Sequence, residues 1–101
     1  MNILLIGGGG REHSIAEALS KSSKIKELHC IPGNAGTQKI AINIKKDISN
    51  FRDIYQIVKK NKIDIVIIGP EQPLVDGLVD YLNKKKIRVF GPNKFASQLE
   101  G

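Results

Sequence analysis

Three short apolar segments, each followed at once by a glycine, constrain the fold of this chain more than any other feature. They are residues 2–6 before Gly7, residues 63–68 before Gly69, and residues 87–90 before Gly91. Each segment is rich in aliphatic and β-branched residues and ends at a turn signal, as strands buried on both faces of a parallel sheet do. The pattern therefore predicts parallel strands joined by crossover connections.

Apolar residues at helical spacing lie between these segments and predict three helices. Asn50 is placed as the N-cap of the second helix, with Asp53 three residues on. The third helix follows Pro73, a favoured residue in a first turn, and a last helix is expected from Asn93. The apolar positions of the three helices are Ile15, Ala16, Ala18 and Leu19; Phe51, Ile54, Tyr55 and Val58; and Leu74, Val75, Leu78, Val79 and Leu82.

Two further strands are expected at residues 28–31 and 39–43, the second because apolar residues alternate there. Strands and helices then alternate along the chain, which is typical of an α/β domain with right-handed crossovers. We predict a Rossmann-like open parallel sheet of four or five strands, with helices on both faces. Residues 3–6 and 65–68 are expected to be adjacent central strands.

The length and the cysteine content indicate one intracellular domain. The chain has 101 residues and a single cysteine, Cys30, whose apolar neighbours predict a buried thiol in a reducing compartment. There is no signal-peptide pattern and no apolar run of the roughly 20 residues that a membrane span needs. We expect a cytoplasmic protein with no membrane partner.

A net charge of +6 raises the question of nucleic-acid binding. Only three of the sixteen basic residues are arginine, and no aromatic residue is interleaved with the lysine clusters as a base-stacking platform requires. The clusters at residues 59–62 and 84–86 fall at the ends of predicted helices, where lysine complements the helix dipole. We therefore expect no nucleic-acid partner.

The four consecutive glycines at residues 7–10 follow the first predicted strand and precede Arg11. Neither register of this run matches the dinucleotide fingerprint, since Glu12 or His13 stands at the third glycine position. A glycine-rich turn that opens a helix still presents free N–H groups to an anion. A phosphate site at Gly8, Gly9, Gly10 and Arg11 is the favoured interpretation, and a tight structural turn is the alternative.

Other candidate ligand residues follow the remaining strands, and the carboxyl ends of parallel strands share one edge of the sheet. Asn34 and Gly36 lie in a loop of small residues whose glycines allow close approach to a ligand, although the loop taken alone is more typical of a plain turn. Glu71, between two prolines, is suited to sugar hydroxyls or, alternatively, to the N-terminus of a helix. We find no paired nucleophile and base, no catalytic residue and no metal-ligand cluster in the sequence.

Four segments in this order and spacing resemble the N-terminal domain of the phosphoribosylamine–glycine ligase family, also called glycinamide ribonucleotide synthetase. They are Gly-Gly-Gly-Gly-Arg-Glu-His at residues 7–13, Pro-Gly-Asn-Ala-Gly-Thr at 32–37, Ile-Gly-Pro-Glu with Pro-Leu-Val at 68–75, and Phe-Gly-Pro at 90–92. The closing Gln-Leu-Glu-Gly at 98–101 agrees as well. The resemblance therefore covers residues 1–101.

The resemblance implies a pre-ATP-grasp domain of an enzyme of de novo purine synthesis. Such an enzyme joins glycine to 5-phosphoribosylamine, with ATP cleaved to ADP and phosphate. It implies that residues 1–101 help to bind phosphoribosylamine, and that ATP and Mg²⁺ or Mn²⁺ are bound by ATP-grasp and C-terminal domains absent from this chain. The chain alone is then expected to be inactive as a ligase. A stand-alone nucleotide-binding module and a purely structural or interaction domain remain as alternatives.

Overall fold

Five strands form one parallel sheet in the computed structural model, which describes residues 1–7, 10–46, 49–69 and 75–91. They are β1 (Asn2–Gly7), β2 (Glu27–Pro32), β3 (Ile42–Asn43), β4 (Ile65–Ile68) and β5 (Arg88–Phe90). Their order across the sheet is β3-β2-β1-β4-β5, with every neighbouring pair parallel. The predicted parallel sheet of four or five strands is confirmed with five, and β1 and β4 are adjacent near its centre as predicted.

Helices cover both faces of this sheet, as predicted. They are α1 (Gly10–Ser20), α2 (Phe51–Lys60) and α3 (Val75–Lys84), with a short 3₁₀ helix at Thr37–Lys39. One buried cluster joins Ala16 and Leu19 of α1 to the sheet, and the other joins Ile54 of α2 and Leu78 of α3 to its opposite face. None of the described helices is long and apolar enough to cross a membrane.

The central strands are apolar toward both helical layers. In β1, Ile3 and Leu5 belong to the cluster under α1, whereas Leu4 and Ile6 belong to the cluster under α2 and α3. All four are fully buried, and the residues of β4 are at most 3% exposed. This alternation is why the sequence shows unbroken apolar runs rather than a polar face.

The start of α2 confirms the predicted cap. The side-chain oxygen of Asn50 accepts a hydrogen bond from the backbone N–H of Asp53 at 3.1 Å, which satisfies one of the free donors of the first turn. Ile54 and Val58 of the predicted apolar face are buried, and Phe51 and Tyr55 are half-buried beside them. Of the face predicted for α1, Ala18 is exposed, so that residue was wrongly placed.

The strand predicted at residues 39–43 is mostly wrong. The amides of Ile40 and Ala41 both donate to the carbonyl of Thr37, at 3.1 and 2.8 Å, so they are committed to a tight turn and cannot join the ladder. Only Ile42 and Asn43 pair with β2. The apolar alternation that predicted a longer strand has another cause, because Ile40 and Ala41 pack partly against the core under α1.

Helices α2 and α3 end in the same way, with a left-handed lysine two residues after the last helical residue. Lys62 has φ 53° and Lys86 has φ 64°. The next amide donates five residues back along each helix: Ile63 N to Val58 O at 2.9 Å and Ile87 N to Leu82 O at 3.0 Å. This is the Schellman motif, whose left-handed position is usually glycine. Ile63 was predicted as the first residue of a strand, but its amide bonds the carbonyl of Val58 in this motif, so Ile63 belongs to the end of α2 and β4 begins at Ile65.

Some predicted features fall outside the described residues. They are the first residue of the third apolar face, Leu74, and the terminal helix expected from Asn93.

Candidate functional site

The carboxyl ends of β1, β2 and β4 lie side by side at the edge of the sheet where the sequence predicted a ligand site. β1 and β2 are held together there by a hydrogen bond from the amide of Gly33 to the carbonyl of Gly7 at 3.3 Å. β4 is joined to β1 by a bond from the amide of Gly69 to the carbonyl of Ile6 at 3.1 Å. The edge is thus cross-linked by backbone bonds that do not depend on any side chain.

Helix α1 begins at Gly10, at this same edge. The first N–H groups of a helix have no partner within the helix and carry the positive end of its dipole. Gly10 and Arg11 are therefore placed where the sequence predicted an anion site. Gly8, Gly9, Glu71 and the Arg11 side chain lie outside the described residues, so their predicted roles stay predictions.

A pair of reciprocal hydrogen bonds shapes the loop after β2, here called the 33–37 loop. The side-chain oxygen of Asn34 accepts from the amide of Thr37 at 2.9 Å, and the hydroxyl of Thr37 accepts from the amide of Asn34 at 2.8 Å. Each side chain bonds the backbone N–H of the other residue, as in a capping box, but the pair closes the loop before the 3₁₀ helix, whose N-cap is Gly36. Asn34 was predicted as a substrate-binding residue, and in the structure its side-chain oxygen holds the loop itself.

Asn43, at the end of β3, holds the 33–37 loop from the other side. Its side-chain amide donates to the carbonyl of Asn34 at 2.8 Å, and its side-chain oxygen lies 2.8 Å from the hydroxyl of Thr37. Gly33 has φ 73°, and a methyl group there would overlap the Asn43 side chain. Glycine at position 33 is required both by this backbone angle and by this contact.

His13, in the first turn of α1, lies against Gly36 of the 33–37 loop. A methyl group at Gly36 would be 2.8 Å from Nδ1 of His13 and 2.9 Å from both Cγ and Cε1. An approach to the edge of the ring would leave Cγ and Cε1 clearly farther away than Nδ1, so the ring presents its face to Gly36. Gly36, predicted as a substrate residue, is therefore also the residue on which the helix and the loop pack.

Beneath the loop, the fully buried Thr37 reaches the thiol of Cys30 on β2. Burial raises the pKa of the Cys30 thiol to about 11, and a hydrogen bond with the Thr37 side chain offsets part of that rise. The predicted buried cysteine is confirmed. Within the described part of the chain, no three histidine, cysteine or acidic side chains come together as a metal site.

Sequence reasoning missed two of the residues that organise this edge, Thr37 and Asn43. The spacing Asn-x-x-Thr at residues 34–37 is a recognisable signal for a capping box, because both side chains can bond the backbone of the other. Asn43 carries no such signal, since its partners come from a loop that only the β2–β3 pairing brings near.

Comparison with known proteins identifies the domain. Residues 1–100 match the family described as "Phosphoribosylglycinamide synthetase, N domain". The chain belongs to this family. The five-stranded parallel sheet and the loops at its carboxyl edge are therefore the framework of a phosphoribosylglycinamide synthetase N domain, in agreement with the resemblance seen in the sequence.

Relatives of this N domain carry the name phosphoribosylamine–glycine ligase. The protein from Caldanaerobacter subterraneus is 42% identical over the whole of this chain, which covers 24% of that relative. The protein from Rhodopirellula baltica is 45% identical over 99% of this chain, which covers 23% of that relative. The chain thus spans about a quarter of the length of these relatives.

The fold is also that of a solved relative. The crystal structure of phosphoribosylamine–glycine ligase from Thermotoga maritima matches with a TM-score of 0.53 and 28% identity, over 67% of this chain and 15% of that one. The α/β fold predicted from the sequence is therefore also present in a solved phosphoribosylamine–glycine ligase.

Proposed function

We propose that this chain is the N-terminal, substrate-binding part of an ATP-dependent ligase that joins glycine to 5-phosphoribosylamine, giving glycinamide ribonucleotide, ADP and phosphate in de novo purine synthesis. The observation that carries the proposal is the family match over residues 1–100. The relatives named phosphoribosylamine–glycine ligase support it, because their similarity runs through the whole chain.

The geometry of the carboxyl edge supports a role in binding the phosphoribosyl group. The start of α1 offers N–H groups to the phosphate of phosphoribosylamine, with Gly8, Gly9, Gly10 and Arg11 as its binding segment. The 33–37 loop forms the neighbouring wall and is held to β1 through Gly7. In this proposal, the backbone shape that Asn34 and Gly36 give to the loop matters more than the side-chain oxygen of Asn34.

Glu71 completes the proposed site from the next strand of the sheet. In the sequence it comes three residues after the end of β4, the direct neighbour of β1, and this order supports its assignment to the same edge of the sheet. A carboxylate accepts hydrogen bonds from the hydroxyls of a ribose, as acidic residues do in nucleotide-binding folds. Glu71 is therefore proposed as the ribose-binding residue.

ATP and its Mg²⁺ or Mn²⁺ are proposed to bind outside this chain. The chain covers about a quarter of its relatives, 23–24% of each of the three compared, which leaves room for the ATP-grasp and C-terminal domains that the family resemblance implies. Those domains are its proposed partners, glycine is the second substrate, and the cytoplasm is the proposed location. The chain alone is expected to release no ADP from ATP in the presence of glycine and phosphoribosylamine.

Substitution of Gly9 by valine in the full-length ligase tests the binding assignment. A branched side chain at the start of α1 occupies the space proposed for the phosphate, so the KM for phosphoribosylamine should rise strongly while the KM for ATP stays nearly constant. Glu71→Gln keeps the shape and removes the charge, so its effect on the same KM should be smaller. A Gly9→Val enzyme that loses ATP affinity but keeps phosphoribosylamine affinity would show that the loop binds the other ligand.

Titration of the isolated chain separates the alternatives. NMR shifts at residues 10–13 with ribose 5-phosphate, and none with NAD, are expected from the ligase domain. Shifts with NAD alone would instead indicate a stand-alone nucleotide-binding module, and no shift with either would indicate a structural or interaction domain.

A further inference from the structure

The first turn of α1 and the 33–37 loop are the two described walls of the proposed phosphoribosylamine site. They meet through the face of the His13 ring and the backbone of Gly36. The backbone bond from Gly33 to Gly7 fixes only the base of the loop, next to the strands. The His13 contact lies farther along the loop, so it controls how close the loop approaches the helix.

The loop itself is stiff, so a contact at one point can position all of it. Its amides and side chains are engaged by Asn34, Thr37 and Asn43, as described above. The amide of Gln38 adds a further bond to the carbonyl of Asn34 at 3.1 Å. Gly33 holds the loop at its base and Asn43 holds it from the side of β3. On the side that faces α1 the loop rests on the His13 ring, so this contact sets how closely the loop approaches the helix.

We propose that His13 is a positioning residue for the substrate site. Its ring, packed face-on against Gly36, holds the 33–37 loop at a fixed distance from the start of α1 and so sets the width of the site. This inference rests on the proposed function for its substrate, but the contact itself is a property of the fold. The flat shape of the ring is what matters here, and neither ring nitrogen is assigned a proton transfer.

Glycine at position 36 is the other half of this contact. Because even a methyl group would come within 2.8 Å of the ring, a larger residue at position 36 must either displace the His13 ring or push the loop and the helix apart, and both changes disrupt the contact. Gly91, after β5, is the matched control, since a methyl group there would meet no atom of the described residues within 4 Å. Ser14, exposed in the same turn of α1, is the control for His13.

The contact is tested first in the chain itself, by NMR. His13→Ala should abolish the ring-current shift of the Gly36 Hα protons and lower the hydrogen-exchange protection of the Gln38 amide, while Ser14→Ala changes neither. His13→Phe, which keeps a flat ring and removes both nitrogens, should preserve an upfield Gly36 signal. Gly36→Ala should lower the same protection, and Gly91→Ala should not. An unchanged Gly36 signal and unchanged protection in His13→Ala would overturn the proposal.

The consequence for substrate is tested in the full-length ligase. His13→Ala should raise the KM for phosphoribosylamine about tenfold, because displacement of a site wall by a fraction of an ångström weakens binding steeply. The KM for ATP should stay constant, and kcat at saturating substrate should be retained. His13→Phe should restore most of the affinity. If His13→Phe is as impaired as His13→Ala, a ring nitrogen is required and the positioning role is wrong.

The two levels of the test distinguish the inference from the proposed function. If the unmodified chain does not bind ribose 5-phosphate and the unmodified ligase does not use phosphoribosylamine, the proposed function fails. The NMR comparison of His13→Ala with His13→Phe still decides whether the ring positions the loop. If the substrate is used but the KM of His13→Ala is unchanged, the proposed function stands and the positioning role is overturned.

Discussion

Replacement of Lys62 by glycine should stabilise the protein, although it removes a side chain and adds no contact. Lys62 closes helix α2 with φ 53°, in the left-handed region that costs a residue with a Cβ about 1–2 kcal/mol. Glycine avoids this cost but gains freedom in the unfolded chain, which lowers stability by about 0.5–1 kcal/mol. The net gain is about 0.5–1 kcal/mol, or roughly 2–8 °C in Tm for a domain of this size.

Alanine at the same position separates the backbone effect from the loss of the lysine charge. Lys62→Ala removes the same ammonium group but keeps a Cβ, so it should gain nothing and lose part of the favourable interaction with the helix dipole. The order of stability at position 62 should therefore be glycine above alanine. At Lys59, inside the helix, the order should reverse, with glycine about 1 kcal/mol less stable than alanine.

Urea unfolding followed by far-UV circular dichroism measures these differences directly. Lys86→Gly should behave like Lys62→Gly, since α3 ends with the same backbone bonds and φ 64°. If alanine at position 62 were as stabilising as glycine, the gain would come from relief of charge repulsion. That result would refute the explanation by backbone strain.

Three further outcomes are expected. Ile67→Asp should leave the chain unfolded by circular dichroism, because an unpaired carboxylate would replace a fully buried side chain, whereas Ile42→Asp should fold, as Ile42 is 54% exposed. Thr37→Val should lower the free energy of unfolding by about 1–3 kcal/mol by leaving buried partners unpaired, and Thr37→Ser should cost less in the same urea assay. The pKa of Cys30 rises from 9.0 to about 11 on folding, so its neutral thiol contributes stability that is full below pH 9 and lost as the pH approaches 11. Cys30→Ala should flatten this alkaline decline in unfolding measurements, and a decline of the same size in that variant would assign it to other groups.

The sequence was sufficient for the sheet because β1 and β4 are buried on both faces, which leaves an unbroken apolar pattern that no surface element shows. The cap at Asn50 was equally readable, since its partner lies three residues away. Local patterns gave the wrong secondary structure at residues 39–41, because the carbonyl of Thr37 accepts hydrogen bonds from the two amides, of Ile40 and Ala41, that would otherwise pair with a neighbouring strand. Alternation of apolar residues reports burial, but it does not report where the hydrogen bonds go.

The candidate site was predictable in its position and not in its internal contacts. Parallel strands bring their carboxyl ends together, so any loop that follows a strand is placed at that edge by topology alone. The packing of His13 on Gly36 depends on the distance between a helix and a loop from different parts of the chain. Residue types and spacing contain no measure of that distance, and so Gly36 was interpreted only as part of a turn or as a residue of the ligand pocket.

The place of β1 in the sheet has a consequence for how the chain is made. β1 is synthesised first, but one of its two neighbours, β4, pairs Ile3 with Ile65. At a synthesis rate of about 5–20 residues per second, roughly 3–12 s pass before that partner exists. During this interval a fully apolar strand has one open edge, which is the kind of surface that pairs with other chains. Ribosome-bound chains that stop before β4 are therefore expected to bind chaperones that recognise apolar segments, and chains that extend well beyond β5 are expected to have released them.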